Sequence, residues 1–248
     1  IGLPLATELS KLQSNVPADE PEVVRTTIKE QLGRTVEELF AAFEERPLAS
    51  ASIGQVHAAT LFDGTPVVVK VQHPHIDKRI RNDLDILAGL ALQAEKYINE
   101  LKPYQPRSIV REFERTLTRE LDFVSELRNL ERFNKNFEGD ATVRFPKPYA
   151  ELSSAKVLTM DRLDGTPVTE LAQRTIGPEG AEFARQGARV FLEMIFRDGF
   201  YHADPHPGNL VILPDGVIGL LDVGMVGQLT PYLREDLEDL LLAIGTNN

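Results

Sequence analysis

Residues 51–72 read ASIGQVHAATLFDGTPVVVKVQ, and no other stretch restricts the fold as strongly. Two β-branched runs flank FDGT, whose Asp-Gly step suits the turn of an antiparallel hairpin. The second run carries a lysine, Lys70, near its end. An alternating strand often leaves such a lysine solvated at an edge, so the hairpin alone does not decide between that role and a chemical one.

The flanking texture is helical. Asp19 followed by Glu22, with Pro21 in the first turn, predicts a capping box, and Gly33 supplies the stop. Thr35 and Glu38 repeat that arrangement before LFAAFEE, which Pro47 ends. After the hairpin, Ile80, Leu84, Leu87, Ala91, Ala94, Ile98 and Leu101 predict one apolar stripe, packed against its own domain. PYQPR breaks that helix, and a second helical stretch is expected over 108–137, carrying RELDFVSELRNLERF. Next come a strand in AKVLTMDRL, a turn at DGTP and a helix over 179–198. LVIL, PDG and VIGLLDVG form another hairpin, and Thr230-Pro231 starts the last helix. This order predicts an α+β protein in two lobes, with chemistry at their junction.

Charge and composition exclude some chemistries. With 27 Lys and Arg against 38 Asp and Glu, the net charge is −11. A general nucleic-acid binder needs a basic stripe, and only residues 78–81 offer a short one. An acidic protein still binds phosphate where a few cations and backbone N–H groups set the local field. There are 0 cysteines, so disulfides, thiolate metal sites and cysteine nucleophiles are excluded. No apolar run reaches the roughly 18–20 residues that span a bilayer. The start, IGLPLATELSK, has neither a methionine nor a signal-peptide plan, so a piece of a longer protein is expected.

The densest chemistry lies in FYHADPHPGNL, residues 200–210. His202, Asp204 and His206 could contribute to a transition-metal site, but Pro205 and Pro207 restrict their convergence and no histidine follows. A phosphoryl-transfer site needs an acid beside the attacking oxygen, an amide oxygen and a second acid on Mg²⁺, and a lysine on the phosphates. Asp204 and Asn209 match the spacing of the H-x-D-x-x-x-x-N loop, Asp222 opens a D-V-G, and Lys70 ends a V-A-I-K-like strand. Each match alone is weak; four in the correct order are specific. His202 can also serve only as a brace for the loop through a backbone hydrogen bond.

The segments PLASASIGQVHAA, VVVKVQHP, ELDFVSELRN, VLTMDRLDG, FYHADPHPGN and LLDVGM together resemble the UbiB/AarF (ADCK) family of atypical kinases, from about Glu8 to the end. The resemblance implies a protein-kinase-like, two-lobed α+β fold: a helical extension over 1–46, a small lobe with a helical insertion over 47–162, and a truncated large lobe over 163–248. It implies ATP and Mg²⁺ as cofactors. Lys70 matches the nucleotide-binding lysine, Asp204 the catalytic-loop aspartate, and Asn209 and Asp222 the Mg²⁺ ligands. An alanine-rich loop, here Ala49, Ser50, Ala51 and Ser52, replaces the glycine-rich one; its β-carbons limit backbone approach to phosphate, with Gly54 as one permissive point. Glu120 and Asp122 match the family's ExD motif, and Glu126 matches the ion-pair partner of Lys70, with Glu120 as the competitor. Met160, Asp161 and Leu163 would border the adenine. The family's K-x-G-Q signature does not appear, and SIGQ belongs to the loop; the chain begins beyond it, at ELSKLQSNVP.

The resemblance further implies an ATP-dependent phosphotransferase or ATPase that supports isoprenoid-quinone biosynthesis or lipid homeostasis. It implies association with a lipid or quinone precursor at a membrane surface, in a cytoplasmic, membrane-peripheral location, with no nucleic-acid partner. Two alternatives stand beside it: a nucleotide-sensing module with negligible turnover that docks to lipid or a complex, and a small-molecule kinase of the aminoglycoside or choline type.

Overall fold

The structure is a computed structural model and describes residues 17–174 and 178–245; residues 8–16 of ELSKLQSNVP lie outside them. The chain divides into two units. One comprises the described residues up to Leu127 together with Pro148–Asp161, and the other comprises Arg128–Lys147 and the described residues from Arg162 onward.

The first unit is built on an antiparallel five-stranded sheet. Its strands are β1 (Ala42–Phe43), β2 (Ala49–Ser50), β3 (Gly54–Thr60), β4 (Pro66–Gln72) and β6 (Val157–Asp161). The expected hairpin is β3–β4, paired from Gly54↔Gln72 to Thr60↔Pro66. β4 is central, because β6 pairs along its other side. Alternation puts Val67, Val69 and Val71 on a buried face and Lys70 on the opposite one. Helix α1 (Pro21–Leu32) and the short α2 (Val36–Leu39) cover that valine face, so Val24, Ile28, Val36 and Leu39 share one core with β4.

Two expectations for this region need correction. The N-cap of α1 is Glu20, with no side-chain cap bond; the Asp19 carboxylate instead meets His73 at 2.6 Å. Gly33 does end α1, at φ 71, where a side chain would be strained. The Thr35–Glu38 box forms, with Glu38 accepting the Thr35 N–H at 2.7 Å, but the helix stops at Leu39 instead of running to Pro47. Burial decides this: Phe40 enters the core, and Phe43, extended on β1, stacks on His57 at 5.0 Å.

The insertion after β4 is a helical pair, α3 (Ile76–Tyr97) and α4 (Pro106–Glu120), joined through a 3-10 turn over Asn99–Tyr104. The predicted stripe is only partly buried: Leu84 and Ala91 are covered, while Leu87 and Ile98 are 40% and 44% exposed. α3 packs chiefly on α4, and part of the stripe stays uncovered. The predicted 108–137 helix is two helices, because α4 ends at Glu120 and α5 (Phe123–Asn136) begins after a break at Leu121-Asp122.

The second unit contains a four-stranded sheet in the order β5 (Val143–Arg144), β10 (Ile218–Leu220), β9 (Leu210–Ile212), β7 (Thr166–Pro167), and a separate pair, β8 (Phe200–His202) with β11 (Val226–Gln228). β5 and β10 run parallel; β9 and β10 are the expected hairpin. The helices are α6 (Val168–Arg174), α7 (Pro178–Leu192) and α8 (Pro231–Gly245). The helix expected over 179–198 changes to a π-turn over Glu193–Arg197 before β8. Phe133 stacks on Phe145 at 4.9 Å and meets Phe200 at 4.8 Å, which ties α5 to the segment that enters the FYHADPHPGNL motif.

Candidate functional site

In the first unit Lys70 is no solvated edge lysine. Its strand is central, and Nζ lies 2.8 Å from both Oε1 and Oε2 of Glu126. The side chains are 16% and 5% exposed, so the pair is largely withdrawn from water. Nζ also stands 5.4 Å from the centre of the Phe123 ring. Gln72, two residues along the same strand face, donates from Nε2 to the Leu121 carbonyl at 2.9 Å. Phe123 N–H donates to the Ala155 carbonyl at 3.1 Å. The first turn of α5 is thus fastened to the sheet at several points, which fixes where the lysine's charge is held.

The break before α5 sorts the three acids that the sequence left in competition. Asp122 is outside regular helix and caps α5, accepting the Val124 N–H at 3.1 Å. Glu120 is the last residue of α4. Glu126, on α5, is bonded to Lys70 through both carboxylate oxygens.

The alanine-rich loop is more ordered than a flexible flap. Ala49 and Ser50 pair with Val56 and Gln55 as β2, and Ala51 N–H donates to the Gly54 carbonyl at 2.9 Å. Gly54 was expected as a permissive point of the loop, but its backbone is ordinary strand. It is required because a β-carbon there would sit 2.5 Å from the Val71 carbonyl oxygen of β4. Met160 is buried on β6 and Asp161 follows it at the strand end. Tyr149 donates to Asp161 Oδ1 at 2.7 Å; burial first, and this carboxylate second, push the phenol up to about 12. Leu163 belongs to the second unit and packs with Val211, Leu213 and Val217.

In the second unit the β9–β10 hairpin gathers two oxygen donors. Leu221 N–H donates to the Asn209 carbonyl at 2.9 Å, one step beyond the last strand pair, so Asn209 and Asp222 leave the same end of the hairpin. Asp222 Oδ1 accepts the Gly224 N–H at 2.9 Å, and Asn129 of α5 holds the Val223 carbonyl at 2.9 Å. β11 then returns to β8, with Val226 opposite His202 and Ala203 N–H on the Met225 carbonyl. That pairing brings the DVG turn and the exposed Asp204 to one edge of this unit.

His202 is the brace. Nδ1 accepts the Asp204 N–H at 3.1 Å, so the ring proton sits on Nε2, which is buried near the Asp222 main chain. Burial lowers the ring's affinity for a second proton, against an opposing pull from Asp222. His206 accepts the Gly208 N–H at 3.0 Å and shapes the turn into Asn209. Among the described residues no three His, Asp or Glu side chains gather as a metal site, so the transition-metal arrangement does not form. The amide and carboxylate oxygens of Asn209 and Asp222 are hard donors of the kind that Mg²⁺ takes. Gln72 and Phe123 were missed by sequence reasoning, although Gln72 lies i+2 from Lys70 on an alternating strand, which was an available signal.

Comparison with known proteins bears on the family and the fold. Residues 11–248 match the model of the ABC1 atypical kinase-like domain. A probable protein kinase UbiB from Pseudomonas paraeruginosa is 40% identical over 248 residues, covering 96% of this chain and 46% of the relative. An uncharacterized protein from Synechocystis is 38% identical, covering 97% of this chain and 42% of its own length. The chain therefore spans about half the length of these curated relatives. The structure titled as the complex of Rv3197 with erythromycin, from Mycobacterium tuberculosis, superposes with a TM-score of 0.68 at 31% identity, covering 97% of this chain and 62% of that one. The fold is α+β and kinase-like.

Proposed function

We propose, for a chain that belongs to the ABC1 atypical kinase-like family, that it binds Mg-ATP and either transfers the terminal phosphoryl group or hydrolyses it. The observation that carries this reading is the Lys70–Glu126 pair, a buried cation held by a distant carboxylate on the face of a central strand. Bound Mg-ATP supplies the leaving group and the metal charge that offsets the developing negative charge. Lys70 holds phosphate oxygens, and Glu126 keeps its side chain in one direction. Asn209 and Asp222 hold the metal. Asp204 orients the nucleophile, water or a small-molecule hydroxyl, with His202 fixing its main chain. Catalysis of this kind is largely positioning and charge neutralisation. The expected role of the whole protein is support of isoprenoid-quinone biosynthesis, with which the relatives named UbiB are consistent, or of lipid homeostasis. Family membership favours this reading over the aminoglycoside or choline type of small-molecule kinase.

One observation favours slow turnover, and with it the nucleotide-sensing alternative. Ala51 N–H is spent on Gly54 within the loop, so that donor is not offered to phosphate in this conformation. Steady-state ATP hydrolysis with and without Mg²⁺, in wild type and Asp222→Asn, tests the main reading. Mg²⁺-dependent turnover that vanishes in the variant is expected; a variant rate equal to wild type would refute the metal assignment. Tight binding with no turnover, with or without lipid, would select the sensing module.

A further inference from the structure

His73 follows Lys70 by three residues, is only 8% exposed, and takes no part in the chemistry proposed above. Its ring spans two elements. Nδ1 lies 2.6 Å from Asp19 Oδ2, and Nε2 lies 2.9 Å from the Ala51 carbonyl oxygen. A carboxylate and a carbonyl only accept, so a ring that donates to both carries a proton on each nitrogen. The main chain of the same residue donates to the Ile53 carbonyl at 2.9 Å. One residue thus fastens two carbonyls of the turn over residues 51–54.

A neighbouring histidine gives the opposite assignment by the same logic. Asp19 N–H donates to Gln55 Oε1 at 2.8 Å, which leaves the Gln55 amide nitrogen as the donor toward His57 Nε2 at 2.9 Å. His57 Nδ1 faces the Glu44 carbonyl at 2.8 Å, so this ring carries one proton and is neutral. Burial lowers its proton affinity in the same sense. Asp19 therefore reaches both rings, its carboxylate directly on His73 and its N–H on Gln55, which in turn meets His57.

We infer that His73 is a positioning residue for the nucleotide loop: as an imidazolium between Asp19 and the Ala51 carbonyl, it ties the segment before α1 to the turn beside the Lys70 strand. This rests on the reading of residues 49–52 as the loop that meets nucleotide. The bond to a full charge is the stronger kind, and its loss costs about tenfold in an equilibrium. His73→Gln keeps one donor and faces an acceptor with its other end. His73→Arg restores donors for both partners.

The test uses the full-length protein. Long-range ¹⁵N spectra report the His73 ring, amide hydrogen exchange reports the Ala51 N–H, and a titration reports Mg-ATP affinity. Both ring nitrogens are expected to be protonated; a singly protonated ring would overturn the inference. His73→Gln should speed Ala51 exchange and raise KM for ATP by about tenfold each, with a smaller change in kcat. His73→Arg should recover most of both, and adding Asp19→Asn to His73→Gln should add little, because the two act through one bond. Unchanged exchange in both His73→Gln and Asp19→Asn would refute the tie. If His73→Gln fails to fold, Asp19→Asn and His73→Arg carry the same comparison. A wild-type protein that binds no Mg-ATP would sink the nucleotide reading alone, and the exchange rates would still decide whether His73 holds the turn.

Discussion

The two halves of the proposed machinery are held in different ways. In the first unit the functional pair joins residues 56 apart in sequence, each on a regular element. In the second unit most side-chain bonds that shape the loops are local: Asp204 to His202, Gly208 to His206 and Gly224 to Asp222 each span two residues, with Asn129 on the Val223 carbonyl as a long-range addition. Long-range pairing fixes a charge only when the whole unit is folded, whereas short-range turns hold their shape with little help from the rest. Substitutions in the first set should therefore cost stability and activity together, and those in the second should cost activity almost alone.

The sharpest way to break that contrast is Glu126→Ala. It leaves Lys70 largely buried without this carboxylate, and about 2–3 kcal/mol of stability should be lost, along with nucleotide binding, as read by urea unfolding and ATP titration. An unchanged urea midpoint would mean that the pair does not organise the unit. Gln72→Ala removes the donor to the Leu121 carbonyl and should cost about 1–2 kcal/mol; a Mg-ATP affinity that falls with it would link the start of α5 to Lys70 placement. Asp122→Ala removes the cap of α5 and should cost about 1 kcal/mol, visible as a lower thermal midpoint.

The smallest effect concerns pH. His57 is neutral in the folded protein, with its affinity for a second proton lowered by burial from the ordinary 6.5. Below that value the unfolded chain takes up a proton that the folded one refuses, so stability falls as pH drops. Urea unfolding at neutral and mildly acidic pH should show a smaller loss in His57→Gln than in wild type. Equal losses would remove His57 from the balance.

What the sequence disclosed follows the same division. FDGT and the valines around it placed β4 to the residue and β3 inside the longer run ASIGQVHAATL, because turn chemistry and alternation are local signals. The H-x-D-x-x-x-x-N and D-V-G spacings were legible for that reason, since the hairpin keeps Asn209 and Asp222 at one end whatever surrounds it. The partner of Lys70 was legible only as a choice. Glu120 and Glu126 looked like members of one helix, and at the break the Leu121 carbonyl is held by Gln72, a residue 49 positions away. Asp19 looked like a cap for α1; its real partner, His73, lies 54 positions off. The helix expected through LFAAFEE failed because Phe40 and Phe43 gain more by burial against the sheet than by helical propensity.

The most direct measurement is a thermal-shift titration with Mg-ATP on wild type and Asp222→Asn. Specific binding stabilises the native state in proportion to the logarithm of ligand concentration. The wild-type midpoint should rise with Mg-ATP. Asp222→Asn, whose amide oxygen can still accept the Gly224 N–H, should fail to respond from its own starting midpoint. A variant that shifts as wild type does, or a wild type that does not shift at all, would contradict the account.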